Sequence, residues 1–228
     1  MLKKGFLVVF EGIDGSGKTT QAKLLYEYLT RKGLKVVLSK EPTDSIYGQK
    51  IKKLAQGERD LTKPFDEYRL FINDRKIHVE NLIKPALQEK KIVILDRYYF
   101  STIAYQGALG LDIGKIKEEN ELFSPIPEIV FLINVPPRVG IIRIQKGREE
   151  KPNLFEQEKY LSDVSKVFNG LNEDYIVSLD GVDGIDIIHN KIINVIDDVV
   201  KHYSERDEQY SLYCSNMKAC WNVIRVIF

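Results

Sequence analysis

Cysteine is nearly absent from this 228-residue chain. The two present, Cys214 and Cys220, lie close together near its end. Two cysteines make neither a disulfide framework nor a zinc pattern. Two free thiols in a reducing compartment are expected, with a local bridge across their six-residue spacing as the alternative. Histidine is equally scarce: His78, His189 and His202 are scattered over separate helical stretches, so no histidine metal cluster is predicted. A surplus of either charge is missing too. The 34 Lys and Arg balance 33 Asp and Glu to leave +1, which supplies no global field for nucleic acid or a membrane surface. No apolar run of about 18 residues occurs, so no membrane-spanning helix is expected. The N-terminal lysines and short apolar run lead straight into Glu11 and a glycine-rich loop, and read as a first strand rather than a signal peptide. The expected setting is the cytoplasm, with neither nucleic acid nor membrane as partner.

What is present is ordinary in bulk and specific in detail. Hydrophobic residues make up 43% and charged residues 29%, as in globular proteins generally, and the length fits one α/β domain. The stretch Gly12-Ile13-Asp14-Gly15-Ser16-Gly17-Lys18-Thr19 matches the phosphate-loop pattern of Gly, four free positions, Gly, Lys and Ser or Thr. An apolar strand, Phe6 to Phe10, precedes it. A helix follows, with Ala22, Leu25 and Leu29 on its apolar side. In such a loop several N–H groups converge on one anion, and the helix N-terminus adds its dipole. Lys18 then reaches the outer phosphates and the Thr19 hydroxyl is a candidate Mg²⁺ ligand. The loop by itself indicates a nucleoside triphosphate, not its fate.

Downstream, the pattern alternates strands and helices. Strands are predicted at Lys35–Ser39, Ile92–Leu95, Ile129–Ile133 and Tyr175–Leu179, with helices between them, so the sheet is expected to be parallel and covered on both faces. Ligands of such sheets bind outside the carboxyl ends of the strands. That position raises Glu41, before Pro42, above a plain loop carboxylate. It also makes Asp96 the Walker B carboxylate that positions Mg²⁺, with a helix N-cap as its other reading. Arg97 beside it is placed for a second phosphate. The longest helical stretch runs from Pro64 to Glu89, kinked or split at Pro85. Asn73-Asp74-Arg75 interrupts its apolar face, either as surface ion pairing or because Phe71 and Arg75, one turn apart, present a ring and a guanidinium to one planar ligand. Lys146, Arg148 and Lys151 lie in a stretch with Gly147 and Pro152 and no core residue. It is a solvated loop or a lid whose cations close over transferring phosphates. No guanine-reading Asn-Lys-x-Asp stretch is present. The economy of the chain suggests phosphoryl transfer from ATP to a small acceptor whose phosphate Arg97 grips.

The ordered set of Phe10-Glu11-Gly12 through Thr20, Glu41-Pro42-Thr43, Phe71 with Asp74-Arg75, Asp96-Arg97-Tyr98, Ser101-Thr102 and Ala104-Tyr105-Gln106-Gly107 resembles thymidylate kinase over roughly residues 5 to 200. The resemblance implies a three-layer α/β/α P-loop kinase fold, with a five-stranded parallel sheet of order 2-3-1-4-5. It implies conversion of dTMP to dTDP with ATP and Mg²⁺, in dTTP biosynthesis, by a homodimer. Gly12, Ile13, Asp14, Gly15, Ser16, Gly17, Lys18, Thr19, Thr20 and Arg143 would hold the donor, and Thr19 and Asp96 the metal. Phe71 would stack on thymine and Arg75 would bond its carbonyl edge. Thr102 and Gln106 would contact the base, and Tyr105 would crowd the sugar C2′ position. Asp14 would serve the acceptor sugar or the surroundings of the metal, Arg97 the acceptor phosphate, and Glu41 the acceptor site as a whole. The family carries its catalytic arginine either after the loop Asp or in the lid. Gly15 occupies the first position here, so the duty falls to Arg148, with Lys146 and Lys151 as helpers and Arg143 at the root of the lid. Lys151-Pro152-Asn153 stands where bacterial members carry an Asp-Arg pair. One domain over residues 1–203 is expected, with a lid at about 146–153 and an extension at 204–228 of unassigned role. A kinase of the same fold for dUMP, UMP or thymidine is the nearest rival, and a non-catalytic ATP-binding regulator the other.

Overall fold

The computed structural model describes residues 2–55, 63–145 and 154–204. The polar stretch at 56–62, the stretch expected as a lid with Lys146, Arg148 and Lys151, and residues 205–228 of the expected extension, with both cysteines, lie outside them.

Five strands form one parallel sheet: β1 (Phe6–Glu11), β2 (Val36–Lys40), β3 (Ile92–Asp96), β4 (Ile129–Asn134) and β5 (Ile176–Asp180), in the order β2-β3-β1-β4-β5. This is the expected order. Composition accounts for which strands lie inside it and which form its edges. β1, β3 and β4 are apolar on both faces and sit inside, whereas β2 and β5 are half-buried and form the edges. Alternation sorts their side chains. Phe6, Val8 and Phe10 of β1 face one layer with Phe131 of β4, and Leu7 and Val9 face the other.

The first layer is α1 (Lys18–Arg31) and α9 (Ile185–Ser204). Ala22, Leu25 and Leu29 of α1 meet Ile188, Ile192, Val195 and Ile196 of α9 over the sheet. Each of these larger side chains, once buried, contributes roughly 1.5–3 kcal/mol, so this seam holds α1, and hence the phosphate loop, in place. The second layer holds α3 (Pro64–His78), α4 (Lys84–Gln88), α5 (Tyr99–Gly107), α6 (Ile113–Glu121), α7 (Pro137–Gln145) and α8 (Leu154–Asn169). A short helix, α2 (Ile46–Lys53), is capped by the Ser45 hydroxyl, which accepts from the amides of Tyr47 and Gly48.

Two expectations change. The stretch from 64 to 89 is interrupted before Pro85, not at it. Residues Val79–Ile83 form a π-turn in which the Lys84 N–H bonds to the Val79 carbonyl, and the wider turn admits the proline that follows. Asp74 and Arg75 do not pair on the surface. Both are about 1% exposed. Ile77, on the same helix, is on the outside.

Candidate active site

The order of strands reverses between β1 and β4, and the phosphate loop emerges there from the end of β1. Gly17 caps α1 in the left-handed conformation at φ 104°, which a side chain would resist. The first turn of α1 carries no acidic residue, so its amides and dipole are left for an anion. Residues 14–21 line a cleft of about 590 Å³ together with Lys40, Glu41, Asp96, Arg97, Arg143 and the segment at 181–188. Gly12 and Ile13 form the buried base of the loop. Thr19 and Thr20 are exposed at the mouth of α1.

Lys18 is buried, and its ammonium donates to the Ile13 carbonyl at 2.8 Å. Burial, reinforced by the nearby Arg97 cation, brings its pKa down to about 8. The Thr19 hydroxyl donates to the Asp96 carboxylate, so the two candidate metal ligands already meet at the end of β3. Arg143 runs from the loop to the far wall, donating to the carbonyls of Gly15 at 3.4 Å and Gly181 at 3.0 Å.

Arg97 follows Asp96 directly but is turned away from it. Its φ of 73° is a left-handed conformation rare outside glycine, which costs about 1–3 kcal/mol and persists only where the surroundings enforce it. Its amide bonds to the Phe10 carbonyl at 3.0 Å. Its guanidinium donates to the Ser101 hydroxyl at 2.8 Å and to the Asp14 carboxylate. Arg97 holds the Asp14 carboxyl below the usual carboxylate range. The Tyr105 hydroxyl joins this pair, accepting from the Asp14 amide at 3.2 Å and donating to its carboxylate at 3.3 Å. Burial pushes the Tyr105 phenol up to about 12, so it remains a donor at neutral pH.

A second cluster adjoins the cleft through Glu41. Arg75 donates to the Glu41 carboxylate from Nε at 2.8 Å and Nη2 at 2.7 Å, to Asn120 Oδ1 at 2.5 Å, and to the Thr102 hydroxyl at 3.0 Å. Phe71 lies one turn earlier on α3 and is half-buried. Gln106 is fully buried and its amide has no hydrogen-bond partner among the described residues, an arrangement that costs free energy unless something else meets it.

Thus Asp14, Arg97 and Tyr105 meet in one group, Glu41, Arg75 and Thr102 in a second, and Lys18, Thr19 and Asp96 along the loop. Several neighbours were missed by sequence reasoning. The Glu11 carboxylate accepts from the amides of Tyr98 at 2.7 Å and Ser101 at 3.1 Å, and from the Ser101 hydroxyl at 2.6 Å. It caps α5, which Tyr98 cannot do for itself. Asp74 accepts from the Thr43 amide at 2.8 Å and from the hydroxyls of Thr43 at 2.5 Å and Ser45 at 2.6 Å, pinning the loop after Glu41. Asn120, His78, Lys40 and Asp183 were also unassigned. A charged residue inside an apolar helical pattern was the signal available for Asp74 and Arg75. Nothing local marked Asn120.

A family model described as thymidylate kinase matches residues 10–192. The thymidylate kinase of Desulfotalea psychrophila is 44% identical over 197 residues, spanning 86% of this chain and 96% of the relative. The probable thymidylate kinase of Archaeoglobus fulgidus is 39% identical over 191 residues, 84% and 94% of the two chains. That of Brachyspira hyodysenteriae is 38% identical over 193 residues, 85% and 94%. The matched span of residues 10–192 includes the phosphate loop, the ends of β2 to β5 and the buried polar cluster around Arg75, and the chain belongs to the thymidylate kinase family.

Proposed function

We propose that the chain transfers the γ-phosphoryl group of ATP to dTMP, giving dTDP and ADP. The observation that carries this reading is the position of Arg97. It is one residue beyond a carboxylate that meets the phosphate-loop Thr19, and it is itself bonded to Asp14 and Ser101. A second cation fixed this close to the phosphate loop suits an acceptor that already bears a phosphate.

The chemistry needs positioning more than it needs a base. A phosphate monoester loses its second proton near pH 6, so an acceptor oxygen of dTMP is already ionised. It attacks the γ-phosphorus as the bond to the β,γ-bridging oxygen breaks and ADP leaves. Repulsion between the two anions is the obstacle. The loop amides and Lys18 hold the donor phosphates, and Arg97 holds the acceptor phosphate in line. Asp14 and Tyr105 keep Arg97 from swinging. Arg143 and residues 12–20 take the rest of the donor.

Thr19 and Asp96, two hard oxygen donors that meet at the end of β3, fit Mg²⁺ and would hold it beside the phosphate loop. When bound, the ion would offset charge on the phosphate oxygens. On the acceptor side Phe71 would stack on the base, Thr102 and the unpartnered amide of Gln106 would meet its polar edge, Arg75 would face its carbonyl, and the Tyr105 ring would crowd a 2′-hydroxyl. Glu41 supports this site by holding Arg75. We assign the catalytic cation of the lid to Arg148, assisted by Lys146 and Lys151, within one kinase domain of residues 1–203, and leave 204–228 without a role. We also propose a cytoplasmic homodimer. The exposed Phe65 of α3 and Leu122, just past the end of α6, flank the Arg69–Glu119 pair that joins the two helices and offer apolar surface for pairing.

ADP release measured with Mg-ATP and a panel of dTMP, dUMP, UMP and thymidine tests the reading. The expected result is a strong response to dTMP, a weaker one to dUMP and almost none to UMP. Silence with every acceptor despite tight ATP binding would refute it.

A further inference from the structure

Arg75 needs a rigid partner to be useful. Its named bonds engage Nε, Nη1 and Nη2 at once, but the strongest of them go to one oxygen of Glu41, Oε2. Rotation of that carboxylate would release two donors together. The other oxygen prevents it. Glu41 Oε1 lies 3.0 Å from His78 Nδ1, and His78 Nε2 lies 2.9 Å from the Ser39 hydroxyl. A carboxylate at this position only accepts, so Nδ1 carries the proton, and in the neutral ring Nε2 then accepts from Ser39. The relay therefore runs from Ser39 on β2 through His78 and Glu41 to Arg75, and ends on Thr102 of α5 and Asn120 of α6.

His78 and Arg75 are three residues apart on α3, on one face of the helix, and they grip the same carboxylate from two directions. His78 is buried and does not line the cleft. We infer that His78 is a positioning residue of the acceptor site, which fixes the Glu41 carboxylate and through it the guanidinium of Arg75. The inference rests on the acceptor-site reading above. A residue that acts this way affects recognition of the acceptor base and leaves the donor and the transfer step alone.

Two substitutions separate the ring's two contacts. Asn at position 78 keeps a donor near the Nδ1 position, and Gln keeps one near Nε2. His78→Gln is expected to raise the KM for dTMP about tenfold while kcat and the KM for ATP stay within about twofold, a loss confined to acceptor binding. His78→Asn is expected to recover most of the dTMP affinity. Ser39→Ala, which leaves His78 in place, is expected to give a smaller rise of the same kind, and it decides the matter with His78→Asn if the Gln variant does not fold. Thermal melts of all three accompany the kinetics. An Asn variant no better than Gln, a rise in the ATP KM equal to that for dTMP, or an unmoved dTMP KM in both His78→Gln and Ser39→Ala overturns the inference. If Gln does not fold, an unmoved value in Ser39→Ala alone does so. A wild-type protein inert towards dTMP would instead defeat the reading of the site itself.

Discussion

Gly15 of the phosphate loop and Gly140 of α7 lie back to back with no space for a side chain. A Cβ on Gly140 would come within 2.5 Å of the Asp14 carbonyl oxygen, and one on Gly15 within 2.3 Å of the Gly140 carbonyl oxygen. The helix that leads towards residues 146–153 therefore rests directly on the backbone of the phosphate loop, and Arg143, one turn on, bonds to Gly15 itself.

Gly140→Ala should consequently displace the loop. Backbone cannot yield as a long side chain can, and overpacking of this kind costs about 1–3 kcal/mol. The KM for ATP is expected to rise about tenfold, with a small fall in melting temperature and little change in the KM for dTMP. Steady-state kinetics with each substrate varied in turn checks this, and an unchanged ATP KM would count against the coupling of α7 to the loop.

Lys18→Ala should reduce kcat by about 10²–10³-fold, the range found when one preorganised charge-stabilising donor is removed. A pH effect follows from the same residue. Its pKa of about 8 in the free protein means that the ammonium is progressively lost above that pH. The value of kcat/KM for ATP should fall as pH rises through about 8, and Lys18→Arg, weaker at neutral pH, should not show that limb.

Much of this fold can be read from local pattern, and the exceptions have a common cause. The apolar runs of β1, β3 and β4, the 3.6-residue spacing of Ala22, Leu25 and Leu29, and the glycine spacing of the phosphate loop are all set within a few residues of one another, and the structure realises each of them. Asp74 and Arg75 look like surface charges in the same local view. Their burial depends on Thr43, Ser45, Glu41, Thr102 and Asn120, partners 27 to 45 residues away, and no periodicity carries that information. The capping of α5 by Glu11 spans 90 residues at its bonds to Ser101, and His78 shows the same limit. Ordinary spacing rules also gave no warning of the π-turn before Pro85 or of the left-handed Arg97.

Tyr105 carries two roles that two substitutions can separate. Its ring is held edge-on by Tyr160 and Phe168, at centroid distances of 6.2 and 6.4 Å, while its hydroxyl serves Asp14 and lies 3.5 Å from Arg97. Tyr105→Phe should lower kcat/KM for dTMP about fivefold, as for one lost hydrogen bond, and keep the preference for dTMP over UMP. Tyr105→Gly should narrow that preference. An equal effect of both on the ratio would remove the ring from discrimination.

Glu11 should leave a signature in stability. Burial raises its pKa from about 4.5 to about 7. Between those values the native carboxyl still holds a proton that the unfolded chain has released, so the native state binds more protons and stability falls as pH rises through the window. Glu11→Gln cannot titrate, yet keeps an acceptor for the amides of Tyr98 and Ser101. Urea denaturation at pH 5 and pH 7.5 should show the wild type losing about 1–3 kcal/mol more than the variant, and equal losses would refute the assignment.

Asp96 and Arg97 are consecutive, and the turn at Arg97 sends one side chain to Thr19 and the other to Asp14. On the reading proposed above, a single peptide unit would be the spacer between the group that holds the giver and the group that holds the taker. A chain built this way cannot tune the reach between its two substrates by lengthening a loop. It can do so only by reshaping that one unit, whose amide is tied to Phe10 in the centre of the sheet.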